Sequence, residues 1–115
     1  MSKFEFETQE ERSMNRKTAL AKVYEGILSD DSILVGMRRG AGLDDERFET
    51  VVEAIEFLIQ DLKESRTVPK QLALCFVDIS NYFYFHEGKY SQAEMDRMED
   101  AAHKLSELAN QLFDS

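Results

Sequence analysis

The fold of this chain is decided by residues 72–86, Leu-Ala-Leu-Cys-Phe-Val-Asp-Ile-Ser-Asn-Tyr-Phe-Tyr-Phe-His. A helix through this stretch, at about 100° per residue, carries apolar side chains on nearly its whole circumference. Leu72 and Cys75 lie on one side of it, whereas Leu74 and Val77 lie on the other. Because a helix that is apolar all round is usually buried on both sides, this segment is predicted to be the central helix of the core.

The rest of the chain shows apolar positions at steps of three and four residues, the spacing that is typical of amphipathic helices. This spacing predicts four helices, at residues 10–28, 44–65, 68–88 (the central helix) and 91–112. Only one proline and five glycines interrupt the chain, which favours long helices over many short strands and turns.

The predicted fold class is all-α, with residues 1–115 forming a single helical domain. Short links before and after the central helix favour antiparallel packing of the last three helices, and the first helix would complete the arrangement. We therefore predict an antiparallel four-helix bundle with a long first connection and an extended N-terminal arm. The first helix and the arm are expected to cover the outer side of the central helix.

Two segments outside the four helices need separate predictions. The arm comprises residues 1–8, in which Phe4 and Phe6 alternate with charged residues. The long connection, residues 29–44, is predicted to be a loop or a short helix, with Asp30 or Asp31 as the capping residue of that helix.

The net charge of the chain is strongly acidic. Fourteen Lys and Arg residues stand against twenty-three Asp and Glu residues, which gives a formal charge of -9. Such a field repels phosphate backbones, so we expect no nucleic-acid partner. No stretch approaches the ~20 apolar residues that a membrane-spanning helix needs, so we expect no membrane insertion. The charge favours a basic or mixed-charge protein as the partner.

Cysteine usage bears on the cellular compartment. Cys75 is the only cysteine, so the chain can form no internal disulfide. The first residues, Met-Ser-Lys-Phe-Glu-Phe-Glu, lack the basic start and the apolar run of a secretory signal. Cytoplasmic localisation is therefore predicted.

Residues with catalytic or metal-binding chemistry are few. Asp100 and His103 have the acid-x-x-His spacing of di-iron bundles, but those sites need two such motifs and further carboxylates. Cys75 and His86 share a helical face, yet eleven residues separate them by about 16 Å along the helix axis. We therefore predict no catalytic, cofactor or metal site, and we expect that the protein is not an enzyme.

The candidate partner-binding residues lie on the polar side of the second predicted helix and in the glycine-rich loop before it. Phe57 is predicted to project from the middle of that acidic side, and an aromatic ring surrounded by carboxylates has the form of an interaction anchor. Two arginines of the loop carry guanidinium groups that suit carboxylates or phosphates of a partner. The predicted site residues are Arg38, Arg39, Glu49, Glu53, Glu56, Phe57 and Asp61.

The main functional hypothesis is a non-enzymatic, small acidic protein-binding module. By analogy of size and charge, it would be a bacterial-type inhibitor, an immunity protein or a regulatory protein that docks a basic partner through an acidic helix face. One alternative is a small helical enzyme or ligand-binding protein with a pocket near Asp78, Tyr82 and His86. Another is a homodimer that forms through the second apolar face of the central helix.

Overall fold

The computed structural model describes residues 14–82 and 90–114, and in the first range the side chains are described through residue 79. The described residues form helices and no strand, so the predicted all-α fold class is confirmed. The predicted N-terminal arm and the predicted end of the central helix at Gly88 lie outside the described residues. The helices are α1 (Arg16–Leu28), α2 (Ile33–Arg38), α3 (Asp45–Asp61), α4 (Lys70–Tyr82) and α5 (Gln92–Phe113).

The N-terminal ends of α1 and α2 differ from the predicted ones because other residues cap them. Asn15 accepts a hydrogen bond from the backbone N–H of Thr18 at 2.9 Å, so α1 begins at Arg16 rather than near residue 10. The short-helix alternative for the long connection is correct. Its capping residue, however, is Ser32, whose hydroxyl accepts a hydrogen bond from the backbone N–H of Val35.

The starts of α3 and α5 agree with the predicted helix starts. Asp44 caps α3 by accepting a hydrogen bond from the backbone N–H of Arg47 at 3.1 Å. Ser91 caps α5 in the same way, through the backbone N–H of Glu94 at 3.2 Å. Each cap satisfies one of the backbone N–H groups that a helix start leaves without a partner.

The hydrophobic core lies between the four long helices. Val23 of α1, Leu58 of α3, Leu72 and Cys75 of α4 and Leu105 of α5 are all fully buried. Full burial of one aliphatic side chain of this size contributes roughly 1.5–3 kcal/mol to folding. The inner faces predicted from apolar spacing are therefore the faces that form the core.

The contacts between helices differ from the predicted order. α1 packs against α2, α3 and α4, and α5 packs against α3 and α4. In the described ranges, α3 and α4 are not one of the main contacting pairs, although they follow each other in the chain. Arg97, near the start of α5, bonds Asp45 at the start of α3, so these two helices have their N-terminal ends together. The eight residues between α3 and α4 are long enough to let the chain cross one end of the molecule.

α1 and α3 approach each other closely at Gly26. A Cβ atom placed on this residue would collide with the side chain of Val51 on α3. Arg16, at the start of α1, donates a 2.6 Å hydrogen bond to Asp61 at the end of α3, so these two helices run in opposite directions. Glycine is therefore required here by the packing of α1 on α3, although it has a low helix propensity.

The outer face of α4 is not covered as predicted. Leu74 is 49% exposed and Val77 is 53% exposed. α4 contacts α1 and α5, and these two contacts bury only its inner side. The prediction that this helix is buried on both sides is therefore wrong for these two residues.

Candidate protein-interaction surface

Three predicted site residues form a line of exposed carboxylates along α3. Glu49, Glu53 and Glu56 are all exposed. Their spacing of four and three residues places them on one side of the helix, opposite the buried side chains of Val51 and Leu58. We call Glu49, Glu53 and Glu56 the acidic stripe. At neutral pH it presents three negative charges to solvent over about two helical turns.

Phe57 and Asp61 do not belong to the acidic stripe. Phe57 is only partly exposed and packs against the core, so it does not project from the acidic side as predicted. Asp61 forms an ion pair with Arg16 of α1, and its side chain is 29% exposed. The carboxylate of Asp61 is thus paired with Arg16 at the contact between α1 and α3. The carboxylates of the acidic stripe, in contrast, are exposed to solvent.

A groove between α3 and α5 adjoins the acidic stripe. Its volume is about 240 Å³, which is below the ~300–1,000 Å³ typical of small-molecule sites. Its walls combine apolar and charged residues, and one member of the acidic stripe belongs to them. The lining residues are Leu43, Asp45, Phe48, Glu49, Arg97, Asp100, Ala101 and Lys104. A groove of this size and composition suits one long apolar or basic side chain of a partner.

An ion pair crosses the groove at the N-terminal ends of the two helices. Arg97 of α5 donates hydrogen bonds from Nη2 to both carboxylate oxygens of Asp45, each at 2.5 Å. The two side chains are 51% and 71% exposed, so water screens their attraction. The pair therefore contributes little to the stability of the fold.

Tyr90 stabilises the backbone at the same end of the groove through two hydrogen bonds. Its hydroxyl donates a hydrogen bond to the backbone carbonyl of Met37 at 2.5 Å and accepts one from the backbone N–H of Gly42 at 3.1 Å. Gly42 has a φ of +85°, a conformation that side-chain-bearing residues rarely adopt. Tyr90, which directly precedes the capping residue of α5, therefore fixes the loop that places Leu43 at the groove.

The two predicted arginines lie at the end of α2 and line a different cleft. Arg38 and Arg39 are exposed, and together with Asp30 and Val35 they surround a volume of about 320 Å³. This cleft shares no lining residue with the groove between α3 and α5. The predicted site residues therefore divide between two places.

Cys75 is a buried side chain without the character of a nucleophile. Burial, followed by the nearby charge of Asp78, raises the pKa of its thiol to about 12. At neutral pH the thiol is protonated, and the thiolate is the form that reacts. Cys75 is fully buried, as expected for the inner side of the central helix.

The alternative pocket near Asp78, Tyr82 and His86 falls largely outside the described part of the chain. Asp78 is partly buried on α4. The side chain of Tyr82 and the whole of His86 lie outside the described residues. Among the described residues, no group of three or more His, Cys, Asp or Glu side chains has the arrangement of a metal site.

Several groove residues were not predicted as site residues. Phe48 appeared as one more position of the apolar repeat, and Asp100 and Lys104 appeared as members of the polar side of the last helix. The polar side of one helix carries no signal that tells which other helix it faces. Only the contact between α3 and α5 places these residues beside Glu49.

In the described ranges, no helix is both long and apolar enough to cross a membrane. No protein-family model, curated protein or solved structure matches this chain.

Proposed function

We propose that this protein is a non-enzymatic binding module that docks a basic or mixed-charge protein on the acidic stripe and the adjoining groove. The observation that carries the proposal is the position of Glu49, which belongs both to the line of exposed carboxylates and to the wall of the groove. A partner that places a lysine or arginine in the groove would have the rest of its basic surface beside Glu53 and Glu56.

The charges of the surface support this role. Complementary charges accelerate encounter and select partners more than they add to affinity. The groove supplies what charge alone lacks, because Leu43, Phe48 and Ala101 offer apolar contact for the stem of a long side chain. A groove lined by both charged and apolar residues resembles the pockets that bind anchor residues at protein interfaces.

The proposal includes the biological class predicted from size and charge. A bacterial-type inhibitor, immunity protein or regulatory protein acts by covering a basic surface of its target, and such a role needs no chemistry of its own. A cytoplasmic site of action is proposed with it, because the single cysteine, Cys75, is buried and can form no disulfide within the chain.

A lysine–leucine amphipathic peptide is a suitable probe of this surface. In a titration followed by NMR, we expect the largest amide shifts at Glu49, Glu53 and Glu56 and at groove residues Phe48 and Ala101. Because the attraction is between exposed charges, raising the salt from low to physiological concentration should weaken binding by about tenfold.

Charge-reversal variants separate this surface from net charge alone. Replacement of all three stripe residues by lysine (Glu49→Lys, Glu53→Lys, Glu56→Lys) should weaken peptide binding by about tenfold or more. A matched control (Glu25→Lys, Glu64→Lys, Glu107→Lys) changes the net charge by the same amount at exposed positions elsewhere. Equal weakening in the two triple variants would overturn the proposal, because the stripe would then have no special role.

A further inference from the structure

The cleft at the end of α2 has a charge that is opposite in sign to that of the whole protein. Its volume of about 320 Å³ lies within the ~300–1,000 Å³ typical of small-molecule sites. Its lining residues are Asp30, Val35, Arg38 and Arg39, and we call it the arginine cleft. Two guanidinium groups stand there against one carboxylate, although the chain carries a formal charge of -9. The arginine cleft therefore favours an anionic ligand.

The two arginines lie on the side of α2 that points away from the core. Val35 precedes Arg38 by three residues and Arg39 by four, so the three side chains share one side of the helix. The opposite side is anchored in the core, where Ile33 and Met37 are fully buried. The arginine cleft is therefore built on a helix whose position the core determines.

Hydrogen bonds hold the backbone of α2 at both ends. The buried Ser32 accepts a hydrogen bond from the backbone N–H of Val35 at 3.2 Å. At the other end, the backbone N–H of Arg39 donates to the carbonyl of Val35 at 3.0 Å, and the hydroxyl of Tyr90 donates to the carbonyl of Met37. A site whose backbone is ordered before the ligand arrives loses less conformational entropy on binding.

The charges of the arginine cleft include two that the fold does not pair. Arg16, Arg47 and Arg97 each form an ion pair with a carboxylate. In residues 14–79 and 90–114, no ion pair includes Asp30 or Arg39, although both line the same cleft. Their charges are therefore available to groups of a ligand.

We propose that the arginine cleft binds a small molecule that carries a phosphate group and at least one hydroxyl group. The forks of Arg38 and Arg39 suit a phosphate, whose oxygens are numerous enough to accept hydrogen bonds from both guanidinium groups. The carboxylate of Asp30 repels the phosphate and accepts a hydrogen bond from the hydroxyl group. Val35 offers apolar contact to the carbon skeleton.

The surroundings of the arginine cleft favour a small ligand over a polyanion. A nucleic-acid backbone would meet the negative field of the whole chain, whereas a single phosphate group meets the two arginines. The arginine cleft shares no lining residue with the groove between α3 and α5. The site thus goes beyond the proposed function, and either proposal can fail without the other.

Glycerol phosphate is a suitable probe, because glycerol and inorganic phosphate represent its two parts. In an NMR titration of the full chain, we expect saturable amide shifts at Val35, Arg38 and Arg39. Inorganic phosphate should bind about tenfold more weakly than glycerol phosphate, because it lacks the hydroxyl that bonds Asp30. Glycerol alone should cause no saturable shift.

Paired variants test the role of the two arginines. Arg38→Gln with Arg39→Gln should weaken the binding of glycerol phosphate by about tenfold or more. The matched control, Lys63→Gln with Arg66→Gln, removes the same charge at exposed positions that follow the end of α3. This control should change the affinity by less than about twofold, because distant exposed charges are screened.

Asp30→Ala tests the hydroxyl contact, since it should remove most of the preference for glycerol phosphate over inorganic phosphate. Equal weakening in the two double variants would overturn the proposal, because the effect would then be one of net charge. Absence of saturable shifts with glycerol phosphate would overturn it as well. Tighter binding of a phosphoserine peptide than of glycerol phosphate would also contradict it, since the ligand would then be a protein segment.

Discussion

α3 and α4 occupy comparable positions in the molecule, since each packs against α1 and against α5. Their inner faces are alike, with Leu58 of α3 and Leu72 of α4 both fully buried. Their outer faces are opposite in chemistry. α3 presents the acidic stripe, whereas α4 presents Leu74 and Val77. The difference shows that packing in the core constrains the inner face of a helix and leaves its outer face free to vary. Partner-binding surfaces are therefore to be sought on the outer faces.

The two helices also differ in how they are held on α1, and this difference leads to the largest expected effect. α3 depends on close approach at Gly26, whereas between α1 and α4 burial, followed by the charge of Cys75, raises the pKa of the Tyr24 hydroxyl. Gly26→Ala should lower the free energy of unfolding by about 1–3 kcal/mol through overpacking against Val51, measured by urea denaturation.

A second glycine provides the matched control for this variant. Gly36 of α2 has room for a Cβ, whose closest contacts would be at 4.0 Å. Gly36→Ala should therefore be neutral or stabilising by up to about 1 kcal/mol, the gain in helix propensity. If Gly26→Ala behaved like Gly36→Ala, the close approach of α1 and α3 would not be a requirement of the fold.

The second prediction concerns a substitution that should affect only the surroundings of α3. Tyr90→Phe removes the hydroxyl that bonds Met37 and Gly42, and leaves a backbone carbonyl and an N–H without that partner. The expected loss is about 1–2 kcal/mol of stability. NMR shift changes should be confined to the loop before α3 and to the groove. Large changes at Leu74 would contradict the separation of the two surfaces.

The third prediction concerns the inner face of α4 at alkaline pH. The pKa of Cys75 is raised from its ordinary 9.0 to about 12 in the folded chain, so the folded state keeps the proton that the unfolded state loses. The stability linked to this proton is fully present below pH 9 and is lost as the pH rises toward 12. Between pH 8 and pH 10 the loss should be about 1.4 kcal/mol.

A cysteine-free variant isolates this contribution from other alkaline titrations. Tyr24 has a pKa that burial and the nearby Cys75 raise, so it adds a loss of the same sign above pH 10. Cys75→Ala is less stable at every pH because of the cavity it leaves, but its stability should fall less between pH 8 and pH 10. Parallel pH profiles of the two proteins would show that Cys75 does not carry the effect.

The smallest expected effects come from two of the ion pairs that α3 forms with other helices. Arg97→Gln breaks an exposed pair with Asp45 and should change stability by no more than about 0.5 kcal/mol. Arg16→Gln breaks the pair with Asp61, whose carboxylate is more shielded, and should cost up to about 1 kcal/mol. Both losses should shrink in high salt. A larger loss of stability in Arg97→Gln than in Arg16→Gln would contradict the prediction that the more shielded pair contributes more.

The parts of the fold that could be predicted are those encoded by local spacing. The inner faces of α3, α4 and α5 follow from apolar residues at steps of three and four, and the caps at Asp44 and Ser91 follow from hydrogen bonds that span three residues. The predicted start of α1 near residue 10 is wrong, because Asn15 caps the helix. The predicted antiparallel order is not confirmed, since linker length limits which helices are neighbours but does not select them.

The candidate site could likewise be predicted only where local spacing determines it. Glu49, Glu53 and Glu56 are exposed because they lie opposite the apolar spacing of α3. The environment of Phe57 could not be derived in this way, because its burial depends on the neighbouring helix and not on α3 itself. The partner of Asp61 lies forty-five residues away in the chain, on α1.

The sequence by itself determined the helical class, the composition of each inner face and the acidic character of the outer surface, because these properties depend on the identities and spacing of nearby residues. Only the tertiary structure decided that α3 faces α5 across a groove, that Tyr90 anchors the loop before α3, and that Leu74 and Val77 are exposed. Each of these features depends on which helices meet in space. That pairing arises from the simultaneous packing of all the inner faces, and no single stretch of residues contains it.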